Sequence, residues 1–517
     1  MGILGRIMSA TRSGTAAFRE AWLGSSGPAD ADFNNYDARR LRYDLSWAIY
    51  AGTVYRDANN RWAAKLRADL GLYTYIRTLF SPATRLVDFH VAHIQGGALD
   101  PDAGNGTMVP SALPIMIPKS NTNDVALRRA ISQLWQNSNW ALAKDTYVRW
   151  GGALGDVALE IIDDTERKKV YMDVVDPRLF TAVTFDRFRN VKSYTREEMR
   201  DDPERPGKSI AYREEVSRNG VDVVYRTYRD DRPYAWDQDK GEEWAIPYGF
   251  IPLYFNQHVN VGLDWGWSEF HSLWSKIREA DDVGSVLDDQ IRKLLNAPWY
   301  LAGVKGADSL ALPRTAATPG RPEPGRSDLP MVYGPAGSQP YPMVAPMPIG
   351  ETSEHLDKLL EEIERDRPIL RFDRLRASGD ASGTALRVAR QPAETAVRHL
   401  RSGYDDTTVR AQQGAVAIGG YRGYAGFEEF DLDSYTSGAL DHFIGDRPVF
   451  GVDALERLEE TTAFWTAAET AGRAGMPLVS YLEEQGWAAD KIARLKLAIE
   501  EQNAAAVDAF QRTLNQA

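Results

Sequence analysis

The 517-residue sequence predicts an α+β protein of two to four domains, and three observations lead to this prediction. Apolar residues recur at helical spacing through the first 150 residues. Short β-branched runs bounded by turn residues occupy 155–250. Two amphipathic helices separated by a proline-rich segment follow, and the C-terminus is again helical. We therefore expect helices around an antiparallel sheet.

Helices are predicted at 36–52, 65–94 and 125–150, with Pro82 as a break or kink in the second. A loop with a short strand near 113–117 separates the second from the third. Strands are predicted at 157–162, 170–175 and 180–185. In 212–229, Asn219-Gly220 stands between two β-rich runs, the pattern of a hairpin with a type I′ turn.

A long amphipathic helix is predicted over 268–296, ending at Ala297-Pro298. Ten of the 27 prolines then lie between residues 311 and 350, which taken alone indicates a linker or an extended segment that depends on a partner. A second helix runs to residue 367, and a loop with arginine and glycine residues occupies 371–383. The helix expected next, 384–414, must accommodate Pro392. Three more helices are predicted, at 452–470, 477–485 and 488–515.

Composition excludes several classes of protein. The net charge of −12 argues against bulk binding to DNA or anionic lipid, so any contact with nucleic acid must be local. The absence of cysteine excludes disulfides, thiolate catalysis and cysteine-based metal sites. No apolar run reaches the roughly 18–20 residues of a membrane span, and no signal peptide is evident. We expect a protein without a membrane partner that is not secreted.

Single motifs give only weak evidence for a catalytic or binding site. Gly207-Lys208-Ser209 ends like a phosphate-binding loop, but the required earlier glycine is Asp202, and no helix follows. His90 and His93 lie near Asp88, which permits a metal site, but ordinary helix packing explains them better. No cofactor, no metal and no catalytic residue is therefore expected.

Acidic pairs and 14 tryptophans leave a glycoside hydrolase open, since such enzymes need two carboxylates on either side of the scissile bond. The sequence does not say which carboxylates would face each other. The pairs are Asp163-Asp164, Asp201-Asp202, Asp230-Asp231, Asp281-Asp282 and Asp288-Asp289.

Charge is arranged in a distinctive order from residue 268 onwards. The helix 268–296 has six acidic and four basic residues, and 351–367 has seven acidic and three basic residues. The following loop, 371–376, has three arginines and one aspartate. DNA carries a charge every ~1.7 Å, so a basic wall would hold it in place, whereas acidic walls with a small basic collar let it slide. A solvated helix face with a basic surface loop is the alternative.

Three stretches and their order resemble the portal proteins of tailed bacteriophages with long, flexible tails. The first is Ile251-Pro-Leu-Tyr-Phe-Asn-Gln-His258 with Asp264-Trp-Gly-Trp-Ser268; the second is the helix from Ile277 to Pro298; the third is Ala381-Ser-Gly-Thr-Ala-Leu-Arg387, continuing to Glu394 and Leu400-Arg-Ser-Gly-Tyr404. The resemblance covers most of the chain by order of elements. It implies an α+β portal fold with a helical N-terminal region and an antiparallel β-rich wing. Two long stem helices would flank a proline-rich clip, and a helical crown would end the chain.

The resemblance also implies domain boundaries. They are an N-terminal arm (1–30), wing (31–262), stem helix 1 (263–297), clip (298–350), stem helix 2 (351–370), tunnel loop (371–383), wing or tunnel helix and return (384–450) and crown (451–517). The density of prolines in the clip departs from the family pattern and leaves the clip's fold open.

The resemblance implies a non-enzymatic ring, expected to be a dodecamer, at one vertex of the virion capsid, assembled in the host cytoplasm. Double-stranded viral DNA would pass through it during packaging and ejection, and the major capsid protein, the terminase large subunit and head-completion adaptor or tail proteins would bind it. The implied residues are the DNA-contacting Arg371, Arg374 and Arg376, the loop hinges Gly379 and Gly383, and the acidic stem lining Asp281, Asp282, Asp288, Asp289, Glu361 and Glu362. Another capsid-associated connector or scaffold, or the glycoside hydrolase, remains the alternative.

Overall fold

The structure is a computed structural model in which the chain has a mixed α+β fold with antiparallel sheets, which confirms the predicted fold class. The chain divides into two compact units, Met1–Val449 and Phe450–Ala517. The structure describes residues 36–54, 80–96, 99–102, 113–118, 121, 123–205, 207–237, 239–295, 299–302, 331–334, 341–342, 349–372, 383–450, 454–484 and 495–497.

The helices of the first unit follow the predicted order. They are α1 (Tyr36–Tyr50), α2 (Ala83–His93), α3 (Asp124–Asn137), α4 (Trp140–Leu154), α5 (Trp274–Leu295), α6 (Ile349–Asp366), α7 (Gly383–Tyr421) and α8 (Ser434–Ser437). Helix α2 begins directly after Pro82, as predicted for a break at that residue, and the segment 65–79 lies outside the described residues.

The single helix predicted over 125–150 is wrong, because the structure has two helices there. Asn139 takes a left-handed backbone conformation with φ of 47°, a region that asparagine tolerates better than most residues. The hydroxyl of Ser138 donates to the Leu134 carbonyl at the end of α3 and accepts from the Met172 amide at 2.9 Å. These bonds tie the break to a neighbouring strand, and apolar periodicity alone does not reveal such a break.

The strands that the structure describes in the first unit form four sheets. They are β1 (Ile115–Met116), β2 (Asp156–Asp164), β3 (Lys169–Val175), β4 (Phe180–Phe185), β5 (Val191–Asp201), β6 (Ser209–Asn219), β7 (Asp222–Arg229), β8 (Arg232–Pro233), β9 (Glu243–Ile246), β10 (Leu253–Gln257), β11 (Trp299–Ala302), β12 (Met331–Gly334), β13 (Tyr341–Pro342) and β14 (Phe443–Ile444). The largest sheet has the order β4-β5-β6-β7-β8, with β9 also paired to β7, and every pair in it is antiparallel. A second sheet has the order β10-β2-β3.

The hairpin predicted around Asn219-Gly220 exists, but its turn lies one residue later. Asn219 pairs with Asp222, so the two turn residues are Gly220 and Val221. Gly220 has φ of 65°, whereas Val221 is not in the left-handed region. A type II′ turn requires a positive φ only at its first central residue. Gly220 occupies this position, so the β-branched Val221 keeps a negative φ. The predicted type I′ turn is therefore wrong.

The core of the first unit lies between the β10-β2-β3 sheet and the helices. Helix α7 contacts β2, β3, β10 and α3, and helix α4 contacts β2, α1 and α2. The largest fully buried side chains of this core include Trp140, Tyr147 and Tyr404. Helix α7 contains Pro392 within its length, as the sequence required. It extends to Tyr421, seven residues beyond its predicted end, because its last turns bury Val416 and Ile418.

The two long helices expected on either side of the proline-rich segment are present with shifted boundaries. The first begins at Trp274 instead of residue 263 or 268, because Trp267 pairs with Val259 in a β-bridge and His271–Leu273 forms a 3₁₀ turn. Between α5 and α6, the described part of the proline-rich segment forms a small sheet of order β12-β11-β13. The described residues of this segment are therefore extended and paired, which agrees with one of the two interpretations that composition left open.

The second unit contains α9 (Ala454–Arg473) and α10 (Leu478–Glu484), close to the predictions of 452–470 and 477–485. Residues 495–497 are helical, and the rest of the predicted helix 488–515 lies outside the described residues. Among the helices that the structure describes, none combines the length and apolar character that crossing a bilayer requires.

Candidate functional site

Helices α5 and α6 lie against each other in antiparallel orientation. At the first turn of α5, Lys276 contacts Asp366 at 2.8 Å and Glu362 at 3.6 Å, and both acids belong to the last turns of α6. Just beyond α6, Arg367 donates to the Ser272 hydroxyl at 3.1 Å. These contacts fix one end of the helix pair, here called the stem root, while the proline-rich segment joins the opposite ends.

The six predicted lining acids do not share one environment. Glu361 and Glu362 are exposed on α6, and Asp282 and Asp288 are half-buried on α5. Asp281 is fully buried, and its carboxylate accepts the backbone amide of Phe80, so within this subunit it supports the fold instead of facing solvent. The side chain of Asp289 lies outside the described residues.

Electrostatics on α5 follow from this burial. Burial, and next the negative charge of Glu279, raise the pKa of Asp282, whereas Arg278 opposes this shift. Neighbouring acids on a helix face repel each other, and a raised pKa is the usual consequence. The exposed acids of α6 include Glu354, which pairs with Lys358 at 2.8 Å.

The predicted tunnel loop is described only at its two ends. Arg371 is exposed, but it belongs to a short helical turn, 368–372, that is held by the buried side chains of Ile369, Leu370 and Phe372. The loop therefore begins after Phe372 instead of at residue 371. Gly383 is the first residue of α7. Arg374, Arg376 and Gly379 lie outside the described residues.

At the stem root, residues of several elements meet around a buried cluster of polar side chains. His90 comes from α2, His258 follows β10, and Glu269 precedes α5. The Glu269 Oε2 atom lies 3.1 Å from His258 Nε2 and 3.4 Å from His90 Nε2. All three residues are buried. We call these three residues the stem-root cluster.

Two further residues surround the stem-root cluster. The hydroxyl of Tyr404, from α7, lies 2.9 Å from His258 Nδ1. Arg367, after α6, contacts Glu269 Oε1 at 3.5 Å. Gly151 on α4 leaves room for this tyrosine, because a Cβ at that position would lie 1.9 Å from the Tyr404 oxygen. The cluster thus joins the residues that flank α5 and α6 to α2, α4 and α7.

Burial and neighbouring charges shift the pKa values of Glu269 and His258 within the cluster. Burial alone would raise the pKa of Glu269, but its two histidine neighbours and Arg367 outweigh burial and hold that pKa well below its usual range. Burial also lowers the pKa of His258, although Glu269 opposes this shift. A buried carboxylate beside a neutral imidazole is consistent with these directions.

A second buried network holds α7 to the end of α2. Arg447 makes two hydrogen bonds of 2.9 Å to the carboxylate of Asp405 and one of 2.8 Å to the Ile94 carbonyl. Arg401 donates to the carbonyls of His93, Ile94, Arg447 and Pro448. These guanidinium groups satisfy backbone carbonyls at a helix C-terminus, where positive charge is favourable.

Two members of the acidic pairs that suggested a hydrolase take part in ion pairs within the subunit. Asp163 contacts Arg422 at 2.7 Å and accepts from Tyr248 and Tyr424, and Asp202 contacts Arg229 at 2.9 Å. Between two sheets, Arg196 on β5 contacts Glu160 on β2 at 3.0 Å and Glu198 on β5 at 2.9 Å. Burial raises the pKa of Glu160, and Arg196 opposes this shift. These contacts account for the acids as supports of the fold.

The sequence suggested that His90, His93 and Asp88 form a group, but the structure gives these three residues different partners. His93 stacks on Phe89 with ring centroids 4.2 Å apart, and Asp88 lies 3.8 Å from Arg149. The partners of His90 are 168 and 179 residues further along the chain, so no local spacing connects them. The sequence signal was limited to His258 and Tyr404, which fall in the stretches that carry the family resemblance, whereas His90 and Glu269 do not.

Gly207 and Lys208, from the sequence that ends like a phosphate-binding loop, lie in the connection between β5 and β6. The Asp202 amide donates to the Lys208 carbonyl at 2.7 Å, and residues 202–208 connect β5 to β6. This agrees with the interpretation of a charged turn.

No protein-family model matches the sequence, and no curated protein matches it.

Proposed function

We propose that this chain is a portal protein, a non-enzymatic subunit of a ring through which double-stranded viral DNA enters and leaves a capsid. The observation that supports the proposal best is the antiparallel pair α5 and α6. An arginine-bearing segment follows the pair directly, and the proline-rich segment joins the helix ends that lie away from the stem root. The order of these parts is the order of stem, clip and tunnel loop in the portal family.

The chemistry of the stem suits a channel for a polyanion. Five acids on α6, at positions 351, 354, 357, 361 and 362, are exposed in the isolated subunit. A ring of such helices would repel phosphates weakly along its length, so that DNA is not trapped. Arg371, together with Arg374 and Arg376, would supply the local cationic contact that holds DNA between packaging steps. Asp281 is omitted from this lining because it is buried within the subunit.

The remaining assignments follow from the ring. We propose about twelve copies around a closed axis, with each stem packing against the next, because closed cyclic rings are the usual form of such homo-oligomers. The clip and the exposed wing would bind the terminase large subunit, the head-completion adaptor and tail proteins, and the major capsid protein. The site of action would be one vertex of the virion.

The first test is the oligomeric state of the purified chain. We expect negative-stain images to show rings with a central hole, and mass photometry to give the mass of about twelve subunits. A monomer or dimer without a hole would contradict the proposal and favour the glycoside hydrolase. A closed or open assembly without a channel wide enough for DNA would favour a different connector or scaffold.

The second test addresses the arginines. Replacing Arg371, Arg374 and Arg376 with alanine is expected to remove most nuclease-protected DNA from assembled particles and leave the rings intact, because the cationic collar is lost and the stem is unchanged. The matched control replaces three exposed arginines of the sheet region, Arg187, Arg205 and Arg232, with alanine, which changes the net charge equally.

Three results would contradict the arginine assignment. The first is equal loss of protected DNA in the two triple variants, since total charge would then explain the effect. The second is normal DNA content in particles of the variant that lacks Arg371, Arg374 and Arg376. The third is failure of ring assembly by that variant with normal DNA content in whatever particles form.

A further inference from the structure

The donor atoms of the stem-root cluster are spaced as ligands around one metal ion. A tetrahedral ion with bonds of about 2.0–2.1 Å places neighbouring donors about 3.3–3.4 Å apart. The Glu269 Oε2 atom is 3.4 Å from His90 Nε2 and 3.1 Å from His258 Nε2. One ligand atom from each of the three residues lies within 4.8 Å of the other two.

His90 gives an independent reason to place an ion here. Its ring is fully buried, and neither of its nitrogens has a hydrogen-bond partner among the described residues. The approach of Nε2 to Glu269 is a close contact without hydrogen-bond geometry. An imidazole ring whose two nitrogens are both buried without a hydrogen-bond partner is unfavourable in either protonation state. A metal ion that accepts the Nε2 lone pair removes part of this penalty.

The surroundings of the cluster resemble the outer shell of a metal site. His258 uses one ring nitrogen toward Glu269, and its other nitrogen lies 2.9 Å from the Tyr404 hydroxyl, which fixes the orientation of the ring. Arg367 contacts Glu269 Oε1, the carboxylate oxygen that does not face the histidines. Metal-binding histidines and carboxylates commonly have such outer partners.

We infer that His90, His258 and Glu269 form a site for one divalent transition-metal ion, with Zn²⁺ as the cation that the donor set suits best. Two imidazole nitrogens and one carboxylate oxygen are a common zinc donor set, whereas Mg²⁺ and Ca²⁺ prefer oxygen ligands. The role is structural: the ion links α2, the end of β10 and the residues that precede α5. The site belongs to the subunit and does not require the ring.

The test begins with the full-length chain, purified without chelator and dialysed against a buffer in which Zn²⁺ is the only added divalent metal. Elemental analysis is expected to give about one zinc per chain. The variants His90→Gln and Glu269→Gln are expected to retain at most about a tenth of that amount, because a two-ligand remnant binds weakly. The matched control is His93→Gln, which removes a histidine from the same helix but not from the cluster, and it is expected to keep its zinc.

A second measurement needs no variant and covers the case in which the altered chains fail to fold. Chelator-treated wild-type chain is titrated with Co²⁺, and intense visible absorption of a tetrahedral ion that Zn²⁺ displaces and Mg²⁺ does not is expected. Zinc is also expected to raise the thermal unfolding midpoint of the chelated chain, because it binds the folded state. Zinc well below one per chain, equal zinc in His90→Gln and His93→Gln, or no tetrahedral Co²⁺ spectrum would each overturn the inference. The cluster would then be a metal-free hydrogen-bonded network.

Discussion

Replacing Arg447 with alanine is expected to lower the free energy of unfolding of the first unit by about 3–5 kcal/mol, because removing one partner of a buried ion pair leaves the other partner uncompensated. Arg447 is buried, and its guanidinium makes two 2.9 Å bonds to Asp405 and one 2.8 Å bond to the Ile94 carbonyl. Burial already raises the pKa of Asp405 even with Arg447 opposing that shift. Without the arginine, this carboxyl must take up a proton or draw in water, and the end of α2 loses a donor.

Urea unfolding followed by circular dichroism measures this effect, at one protein concentration for all variants. The control is Arg226→Ala, which removes an arginine that also contacts a carboxylate twice, that of Glu243 at 3.1 and 3.3 Å. Both members of that pair are exposed, so water replaces the lost contact and the change is expected to be much smaller. Equal losses in the two variants would show that burial of the Arg447 network does not matter.

A double variant separates the pair from its surroundings. Asp405→Ala in the Arg447→Ala background is expected to restore part of the lost stability, because no buried charge then lacks a partner. If the double variant instead loses the sum of the two single effects, the two side chains act independently and the ion pair is not the source of the loss.

The pH dependence of stability is expected to change when Asp156 is replaced with asparagine. Asp156 is buried at the start of β2, where it accepts from the Tyr43 hydroxyl and the Gly266 amide, each at 2.8 Å. Burial raises the pKa of this carboxyl from 3.8 to about 6, although the Gly266 amide and the Tyr43 hydroxyl oppose the shift. The folded chain therefore binds a proton at Asp156 more tightly than the unfolded chain does.

The sign follows from this difference. A raised carboxyl pKa stabilises the fold at low pH, and the contribution is lost as pH rises from about 4 through about 6. Between pH 4 and pH 7 the loss amounts to about 2–3 kcal/mol, at about 1.4 kcal/mol for each unit of pKa difference. Asp156→Asn cannot ionise, so its stability relative to wild type is expected to improve by this amount as the pH is raised.

Tyr43→Phe is the companion variant, and its trend should be opposite. It removes a hydrogen-bond donor that favours the ionised carboxylate, so its loss of stability is expected to be greater at pH 7 than at pH 4. Unfolding by urea at a series of pH values gives all three profiles. Parallel profiles for wild type and Asp156→Asn would mean that Asp156 does not bind its proton more tightly in the folded chain.

Much of the secondary structure could be predicted because it depends on residues close in sequence. Turn residues and β-branched runs bounded the strands of the sheet. Apolar spacing located α5 and α6, although α5 begins six residues after the start that its periodicity predicted. Errors occurred where a contact from elsewhere decided the backbone. Asn139 breaks a continuous apolar pattern because Ser138 bonds to β3, and the hairpin turn moves one residue because strand register places Asn219 opposite Asp222.

The candidate site was much less accessible to sequence reasoning. Most acids of α6 are exposed, as a helix with a narrow apolar stripe leads one to expect, but the periodicity of α5 did not distinguish the buried Asp281 from the half-buried Asp282. That distinction depends on Phe80, a residue about two hundred positions earlier whose backbone amide reaches the Asp281 carboxylate.

The sequence by itself determined the α+β class, the order of the elements and the net charges of α5 and α6, because helical periodicity, turn preferences and net charge are local or additive properties. Only the tertiary structure decided that His90, His258 and Glu269 meet at the stem root, and that Arg447 reaches Asp405 and the end of α2. These contacts join residues separated by up to 353 positions, and their geometry arises from how helices and sheets pack together. No pattern within one segment contains that information.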